Sequence, residues 1–314
     1  MAIFRHTSDL PKDARASVVA IGNFDGVHRG HRHVLAAAQA HAGTLGTSTT
    51  VLTFEPHPRQ VFVPDQPPFR LSLLRSKARI LEDLGVAHLF VLHFDREFAR
   101  KTAEQFVTDI LVRDLNVRHV VIGGDFCFGH RRQGNADLLR RMGETHGFGL
   151  SALDPVRDEN GEVISSSRIR DALRHGRTQE ATRLLGRPWE VEGRVDHGAK
   201  RGRDIGFPTA NIALGDYLEP AHGIYAVRAG IDHGQSTQWM DAVGYVGRRP
   251  TVQGENVLLE VHIFDASPDL YGQHLRVQMI DFLRGDKHFA CMEELCAQIA
   301  SDCHEARRVL KLLP

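Results

Sequence analysis

From residue 17 to about residue 185 the chain repeats one pattern, a short apolar run followed by a stretch with helical spacing. "SVVAIGNFD" (17–25) reads as a buried strand and "HRHVLAAAQAHA" (31–42) as a helix. "TSTTVLTF" (47–54) is a β-branched strand, and "SKARILEDLG" (76–85) is a helix closed by glycine. "HLFVLHF" (88–94), "AEQFVTDILVRDL" (103–115) and "VRHVVIGGD" (117–125) continue as strand, helix, strand. Strands separated by helices of this length predict a doubly wound parallel α/β sheet. Ligands of such sheets bind beyond the carboxyl ends of the strands.

After about residue 187 the pattern changes. "WEVEGRVDHG", "GIYAVRAGI", "WMDAVGYVG", "VLLEVHIF" and "LRVQMIDFL" are short, alternating and separated by Gly, Asp, His and Pro. This spacing predicts a small antiparallel β-barrel. "MEELCAQIASDCHEARRVLKLL" follows as a long amphipathic terminal helix packed on it. The change falls at "LLGRPW" (184–189), so two domains are expected, residues 1–185 and 186–314, as the length also favours. Residues 63–69, "VPDQPPF", read as a mobile Pro-rich loop.

Composition narrows the partners. Lys+Arg and Asp+Glu are both 39, so no net charge argues for nucleic-acid binding. No apolar run approaches the roughly 18 residues of a membrane span, and the start lacks the apolar core of a signal peptide. Cys127, Cys291, Cys296 and Cys303 fit neither a disulfide framework nor a zinc spacing. Cys296 and Cys303, seven apart on a helix, read as packing residues. A cytoplasmic protein with no membrane or nucleic-acid partner is expected, and its oligomeric state is not legible.

"GNFDGVHRGH" (22–31) follows the first strand directly and so lies at the ligand edge of the sheet. His28 and His31 share one face at a helix start, where unpaired N–H groups and the dipole favour an anion. Gly22, Gly26 and Gly30 let a bulky ligand approach the backbone. Neutral imidazole N–H groups suit phosphate oxygens whose charge grows in a transition state. A bare His-x-x-His also occurs on ordinary surface helices; a zinc pair more often sits at i,i+4. Further along, "ISSSRIR" (164–170) combines hydroxyls and guanidiniums at a helix start, and by itself reads equally as an N-cap with solvated arginines.

The Gly-x-Phe-Asp-Gly-x-His-x-Gly-His string resembles the HIGH-type signature of the nucleotidylyltransferase superfamily, whose late Ser/Arg segment matches "ISSSRIR". With "FEPHP" (54–58) and "GGDFCFGHRRQGN" (123–135), the N-terminal half resembles the FMN adenylyltransferase of the prokaryotic bifunctional riboflavin kinase/FAD synthetase family. That resemblance implies ATP binding by Gly22, Asn23, Phe24, Asp25, His28, His31, Ser165, Ser166 and Arg168, with His28, His31 and Arg168 catalytic. It implies flavin binding by His57, Asp125, Phe126 and Phe128. Arg132 and Asn135 belong to the following loop, and Cys127 fills a variable place that carries no role.

The barrel half holds "GRVDHGAKRGRDIGFPTANI" (193–212). Thr209 and Asn211 are two apart, so on an extended segment they face the same way. Their neutral hard oxygens suit Mg2+ held mainly by nucleotide phosphates; an Asn/Thr turn is the plainer alternative. "GRDIGFPTANI" resembles the riboflavin kinase signature, followed in family order by "GIYAV", "GRRPTV", "LEVHIFD" and "LYGQHLRV". The resemblance implies ATP binding by Gly198, Lys200, Gly202, Gly206, Pro208, Thr209 and Asn211, Mg2+ at Thr209 and Asn211, and a flavin contact by Arg284. Glu260 points opposite to Val257, Leu259, Val261 and Ile263, as an exposed strand residue does. The resemblance makes it the base for the ribityl 5′-hydroxyl. One departure stands out: Tyr245 occupies the place where many relatives have Asn.

The expected function is FAD biosynthesis in two ATP- and Mg2+-dependent steps, riboflavin to FMN and FMN to FAD. An unrelated nucleotidylyltransferase with a different β-domain is opposed by "GFPTAN". A flavin-binding regulator with decayed catalysis is opposed by retention of the site residues.

Overall fold

Val18–Ile21 is buried at all four positions, the pattern of a parallel strand covered on both faces. In the computed structural model, which describes residues 1–6, 10–11, 14–196, 206–233, 236–251, 254–266 and 270–312, this is strand β2. It pairs in parallel with β3 (Thr49–Glu55) on one side and β5 (His119–Gly123) on the other. With β1 (Ala2–Phe4), β4 (His88–His93) and β6 (Gly149–Leu153) the order is β1-β4-β3-β2-β5-β6. Every pairing is parallel.

Alternation along the strands builds two cores. Val18, Ala20, Val51 and Leu89 pack with Val34, Leu35 and Ala38 of α1 (Arg29–Leu45) and Leu81 of α3 (Leu74–Asp83). Val19, Ile21, Leu52 and Phe90 face the other way, toward Val107, Ile110 and Leu111 and toward Leu139 of α5 (Ala136–His146). The sheet is therefore wound on both faces, as the periodicity predicts. A short helix α2 (Pro58–Phe62) follows β3. The helix predicted over 103–115 starts as α4 (Ala103–Gln105) but winds as a π-helix over Phe106–Asp114. The wider turns keep Phe106, Val107, Ile110 and Leu111 all buried.

The rest of the chain forms an antiparallel sheet in the order β7-β12-β9-β10-β11-β8. These strands are β7 (Trp189–Arg194), β8 (Ala210–Ala213), β9 (Gly223–His233), β10 (Ser236–Thr251), β11 (Gly254–Ile263) and β12 (His274–Arg284). Its outer strands converge. The Asp196 N–H donates to the Asn211 carbonyl at 2.9 Å, and a Cβ on Gly193 would overlap the Ile212 side chain. The sheet thus curls toward a barrel around Val191, Ile212, Val227, Val246, Leu259 and Val277. Its other face packs Ala226, Val243 and Ile280 against Ala306 and Leu310 of the terminal helix, α8 (Met292–Leu310). Cys303 lies half-buried beside that cluster, and burial pushes its thiol up to about 11.

The chain divides into two compact units, Met1–Gln66 with Leu74–Ile164, and Pro67–Leu73 with Ser165–Pro314. The second unit therefore includes α6 (Ser166–Arg174), α7 (Thr178–Leu185) and a strap taken from the middle of the first half. The strap's Arg70 N–H donates to the Asp216 carbonyl at 3.2 Å, and its carbonyl accepts from Leu218 N–H at 2.8 Å. Trp189 Nε1–H donates to the Leu71 carbonyl and Arg170 Nε–H to the Phe69 carbonyl, both at 2.9 Å. Phe69, Arg70 and Leu71 are buried, so the Pro-rich loop expected over 63–69 ends in a packed anchor.

Helix α7 packs on β7 and β12, and Thr178 Oγ1 accepts from Phe282 N–H at 3.1 Å. A fragment of residues 186–314 uncovers this face, which buries Leu184 and Leu185 at about 1.5–3 kcal/mol each. It should unfold at least 5–10 °C below a fragment of residues 165–314 in thermal melts. Equal midpoints would mean that the two helices add nothing to the barrel.

Candidate active sites

Between β2 and α1 the chain makes a turn that most sequences cannot adopt. Phe24 and Val27 have φ of +48° and +44°, and Gly26 has +82°. Left-handed backbone at a bulky and at a β-branched residue costs about 1–3 kcal/mol each. Burial of both side chains offsets part of that cost. The Asn23 carbonyl is held from two sides, by Lys77 Nζ at 2.8 Å and Thr53 Oγ1 at 3.2 Å. Lys77 is wholly buried, with Glu55 Oε1 3.6 Å from its ammonium. The sequence reading missed this lysine; its signal is a charge in the buried stripe of α3 beside Ala78 and Leu81.

The turn delivers His28 to the N-cap of α1. Its Nδ1 accepts the His31 N–H at 3.3 Å, so the neutral ring carries its proton on Nε2. The two imidazoles stack with centroids 3.7 Å apart, and Phe24 lies 5.1 Å from the His31 ring. Burial holds the His31 pKa well below its ordinary value, and His28 and Lys77 push it the same way. His31 Nδ1 is buried and has no hydrogen-bond partner among the described residues, a polar atom left for a ligand. Gly22 is half-buried, Asn23 exposed and Asp25 buried. A Cβ on Gly30 would sit 3.1 Å from the His28 ring and 3.5 Å from the Ile164 carbonyl, one residue before Ser165.

Two further motifs leave the same edge of the sheet. His57 follows β3 and caps α2, accepting the Arg59 N–H on Nδ1 at 3.1 Å. After β5, Asp125 is exposed, while Phe126 and the buried Phe128 stack at 5.6 Å. The Phe128 backbone pairs with Gly134, where a Cβ would meet the Phe128 ring at 2.7 Å. Asn135 proves to be the N-cap of α5, its Oδ1 accepting Leu138 N–H at 3.0 Å. Because β3, β2 and β5 are neighbours, the strings at 22–31, 54–58 and 123–135 emerge side by side.

The Ser/Arg segment begins the second unit. Ser165 caps α6, its Oγ accepting Arg168 N–H at 3.4 Å, and Ser166 opens the helix. The Arg168 guanidinium lies 3.5 Å from Glu180. Arg170 is buried against the Phe69 ring and carbonyl, so it is a scaffold residue of the strap.

In the barrel, strand register assembles a second group. Glu260 of β11 stands directly opposite Asn211 of β8 on one side and Tyr245 of β10 on the other. Tyr245 opposes Ile224, which opposes Arg284. Opposed residues share a face, so Asn211, Glu260, Tyr245 and Arg284 form one row across the sheet. Glu260 points away from Leu259, Val261 and Ile263 as expected, but it is buried, not exposed. His262 Nδ1–H donates to the Pro208 carbonyl at 2.9 Å, tying the segment before β8 to β11. Thr209 is half-buried in that segment, and its carbonyl lies 3.5 Å from Asn211 Nδ2. Gly206 has φ +85°; Gly198, Lys200 and Gly202 lie outside the described residues. The Arg284 fork is taken by Asp302 at 2.9 and 2.7 Å, which raises its pKa.

Two family models cover nearly the whole chain: FAD synthetase over residues 10–168 and riboflavin kinase over residues 185–310. The chain is 41% identical over 295 residues to the bifunctional riboflavin kinase/FMN adenylyltransferase of Escherichia coli K12, spanning 94% of this chain and 93% of that protein. The chain belongs to the bifunctional riboflavin kinase/FMN adenylyltransferase family. The Haemophilus influenzae member is 39% identical over 312 residues, 98% of each chain. A solved structure described as a macrolide-efflux protein from Streptococcus pneumoniae superposes with a TM-score of 0.84 at 33% identity, covering 97% of this chain and 98% of that one. Among the described residues no helix is long and apolar enough to cross a membrane. The FAD synthetase match contains the three motifs of the parallel sheet; the riboflavin kinase match contains the cross-strand row.

The depressed His31 pKa has a consequence for stability. The unfolded chain takes up a proton near 6.5 and the folded chain does not, so acidification favours unfolding. The cost approaches about 1.4 kcal/mol per pH unit below that value, until the folded ring also protonates. His31→Gln should therefore lose less melting temperature between pH 7 and pH 5.5 than the parent. Equal losses would mean that His31 is not held neutral.

Proposed function

We propose that residues 186–314 phosphorylate riboflavin with ATP to give FMN, and that residues 1–185 transfer AMP from ATP to FMN, giving FAD and pyrophosphate. The observation that carries the reading is the pairing of Asn211 with Glu260 on adjacent strands, beside the separate stacked histidines at the α1 N-terminus.

The two reactions start from different nucleophiles. In the kinase the ribityl 5′-hydroxyl attacks the γ-phosphorus of ATP and ADP leaves. An alcohol is too weak an acid to ionise unaided, and Glu260 accepts its proton as the P–O bond forms. Thr209 and Asn211 offer neutral oxygens next to that carboxylate, a donor set that fits Mg2+ carried by the nucleotide phosphates. When bound, Mg2+ would neutralise phosphate charge. Pro208 and Gly206, with Gly198, Lys200 and Gly202 outside the described residues, are assigned to the same ATP site. The Arg284 Nε and Nη2 donate to Asp302 and Nη1 to the Gly285 carbonyl, so the planar face is the part offered to the flavin.

In the adenylyltransferase an ionised FMN phosphate oxygen attacks the α-phosphorus of ATP, the Pα–O bond to the β-phosphate breaks, and no general base is required. His28 Nε2–H and the neutral His31 ring donate to the α-phosphate oxygens, where charge accumulates. Gly22, Asn23, Phe24 and Asp25 line the turn that receives ATP. Ser165, Ser166 and Arg168 serve its phosphates. His57, Asp125, Phe126 and Phe128 serve the flavin. The small-molecule substrates and four free cysteines fit a cytoplasmic enzyme.

Incubation with riboflavin and Mg–ATP, followed by chromatography, should give FMN and then FAD. His28→Ala should slow FAD formation by about 10²–10³ and leave FMN formation intact. Glu260→Gln should slow riboflavin phosphorylation by about 10²–10⁴ while FAD still forms from supplied FMN. Loss of both activities in either variant would reassign that residue to folding.

A further inference from the structure

Tyr245 is the one member of the cross-strand row to which the kinase reading gives no task. It stands between Glu260 and Arg284, directly opposite the former and separated from the latter by Ile224 of β9. Opposed side chains on neighbouring strands have Cβ atoms roughly 4.5–5.5 Å apart, so Tyr245 leaves its strand beside the base. Its course is set by a glycine. A Cβ on Gly247 would overlap the hydroxyl oxygen and Cζ of Tyr245, so the ring lies along β10 over Gly247. The ring is half-buried, and the Arg284 guanidinium is close enough to sense the phenol electrostatically.

This geometry constrains the acceptor. An alcohol delivered to Glu260 on this face has Asn211 on one side and Tyr245 on the other. The Asn211 side belongs to the phosphates, so the body of the substrate extends across Tyr245 toward Arg284. We propose that Tyr245 is a specificity-determining residue of the kinase, an aromatic platform that carries the flavin end of riboflavin while its hydroxyl reaches Glu260. Where an amide side chain would recognise through hydrogen bonds, Tyr245 offers a flat apolar face. The proposal rests on the reading of Glu260 as the base and Asn211 as the phosphate end.

Steady-state kinetics of the full chain test it. Tyr245→Ala and Tyr245→Asn should raise the riboflavin KM about tenfold, within the range for losing one aromatic stacking partner. The ATP KM should stay within about twofold, kcat near the parent, and FAD formation from supplied FMN unchanged. Tyr245→Phe should restore the parent riboflavin KM, because the ring carries the contact. Gly247→Ala should raise the riboflavin KM when Tyr245 is present and add nothing in the Tyr245→Asn background. An unchanged riboflavin KM in Tyr245→Ala, or a joint rise of both KM values with a fall in kcat, would overturn the platform. Glu260→Gln measured alongside reports on the base through kcat, so failure of that reading is seen separately.

Discussion

The ammonium of Lys77, wholly buried and 2.8 Å from the Asn23 carbonyl, is the interaction on which the adenylyltransferase turn depends. A charge without solvent is tolerated only where partners fill its donors, and the nearby Glu55 carboxylate and the Asn23 carbonyl lie within reach. Removing one member of such a group typically costs about 3–5 kcal/mol, because the others stay buried and uncompensated. The lysine comes from α3, Glu55 and Thr53 from β3, and Asn23 from the turn after β2. Sheet, helix and turn are thereby held in one arrangement. In that arrangement the left-handed Phe24 and Val27 persist and His28 caps α1.

The barrel brings its own group together through strand register. Asn211 and Glu260 are 49 positions apart in the chain, and only the register of β8 on β11 makes them neighbours. A shift of one residue along β11 would turn Glu260 into the packed interior and put Leu259 or Val261 in its place. Leu259 and Val261, nearly inaccessible to solvent, thus fix which face the glutamate takes. His262, two residues on and on the same face, holds the Pro208 carbonyl and so brings the Thr209 segment to that register.

What could be read from the chain follows from this difference. Runs such as Val18–Ile21 and the alternation around Glu260 announce their elements, because burial on two faces or on one dictates composition directly. The motif strings were legible because turn chemistry is local. Register was not: nothing within "VLLEVHIF" says that Tyr245 and Asn211 flank Glu260. Nor does "VPDQPPFR" disclose that Phe69 and Arg70 are buried, since their partners, Arg170, Asp216 and Leu218, are distant in sequence. The three-residue strand β1 is too short for any period to show. Lys77 and Arg170 were misjudged or missed for one reason: a long cationic side chain looks solvated until its buried acceptor is known.

The strap of Pro67–Leu73 bears on how such a protein can be rearranged by recombination. The chain leaves its first unit at Gln66, lends seven residues to the second, and returns at Leu74. A crossover at any single point therefore cuts through one unit or the other, and one that falls after Leu73 in a hybrid of two unrelated parents leaves a mismatched strap around Trp189 and Leu218. Exchange of one catalytic half alone would need three junctions to coincide. Interleaving of this kind keeps the two halves inherited together, independently of any advantage in passing FMN between them.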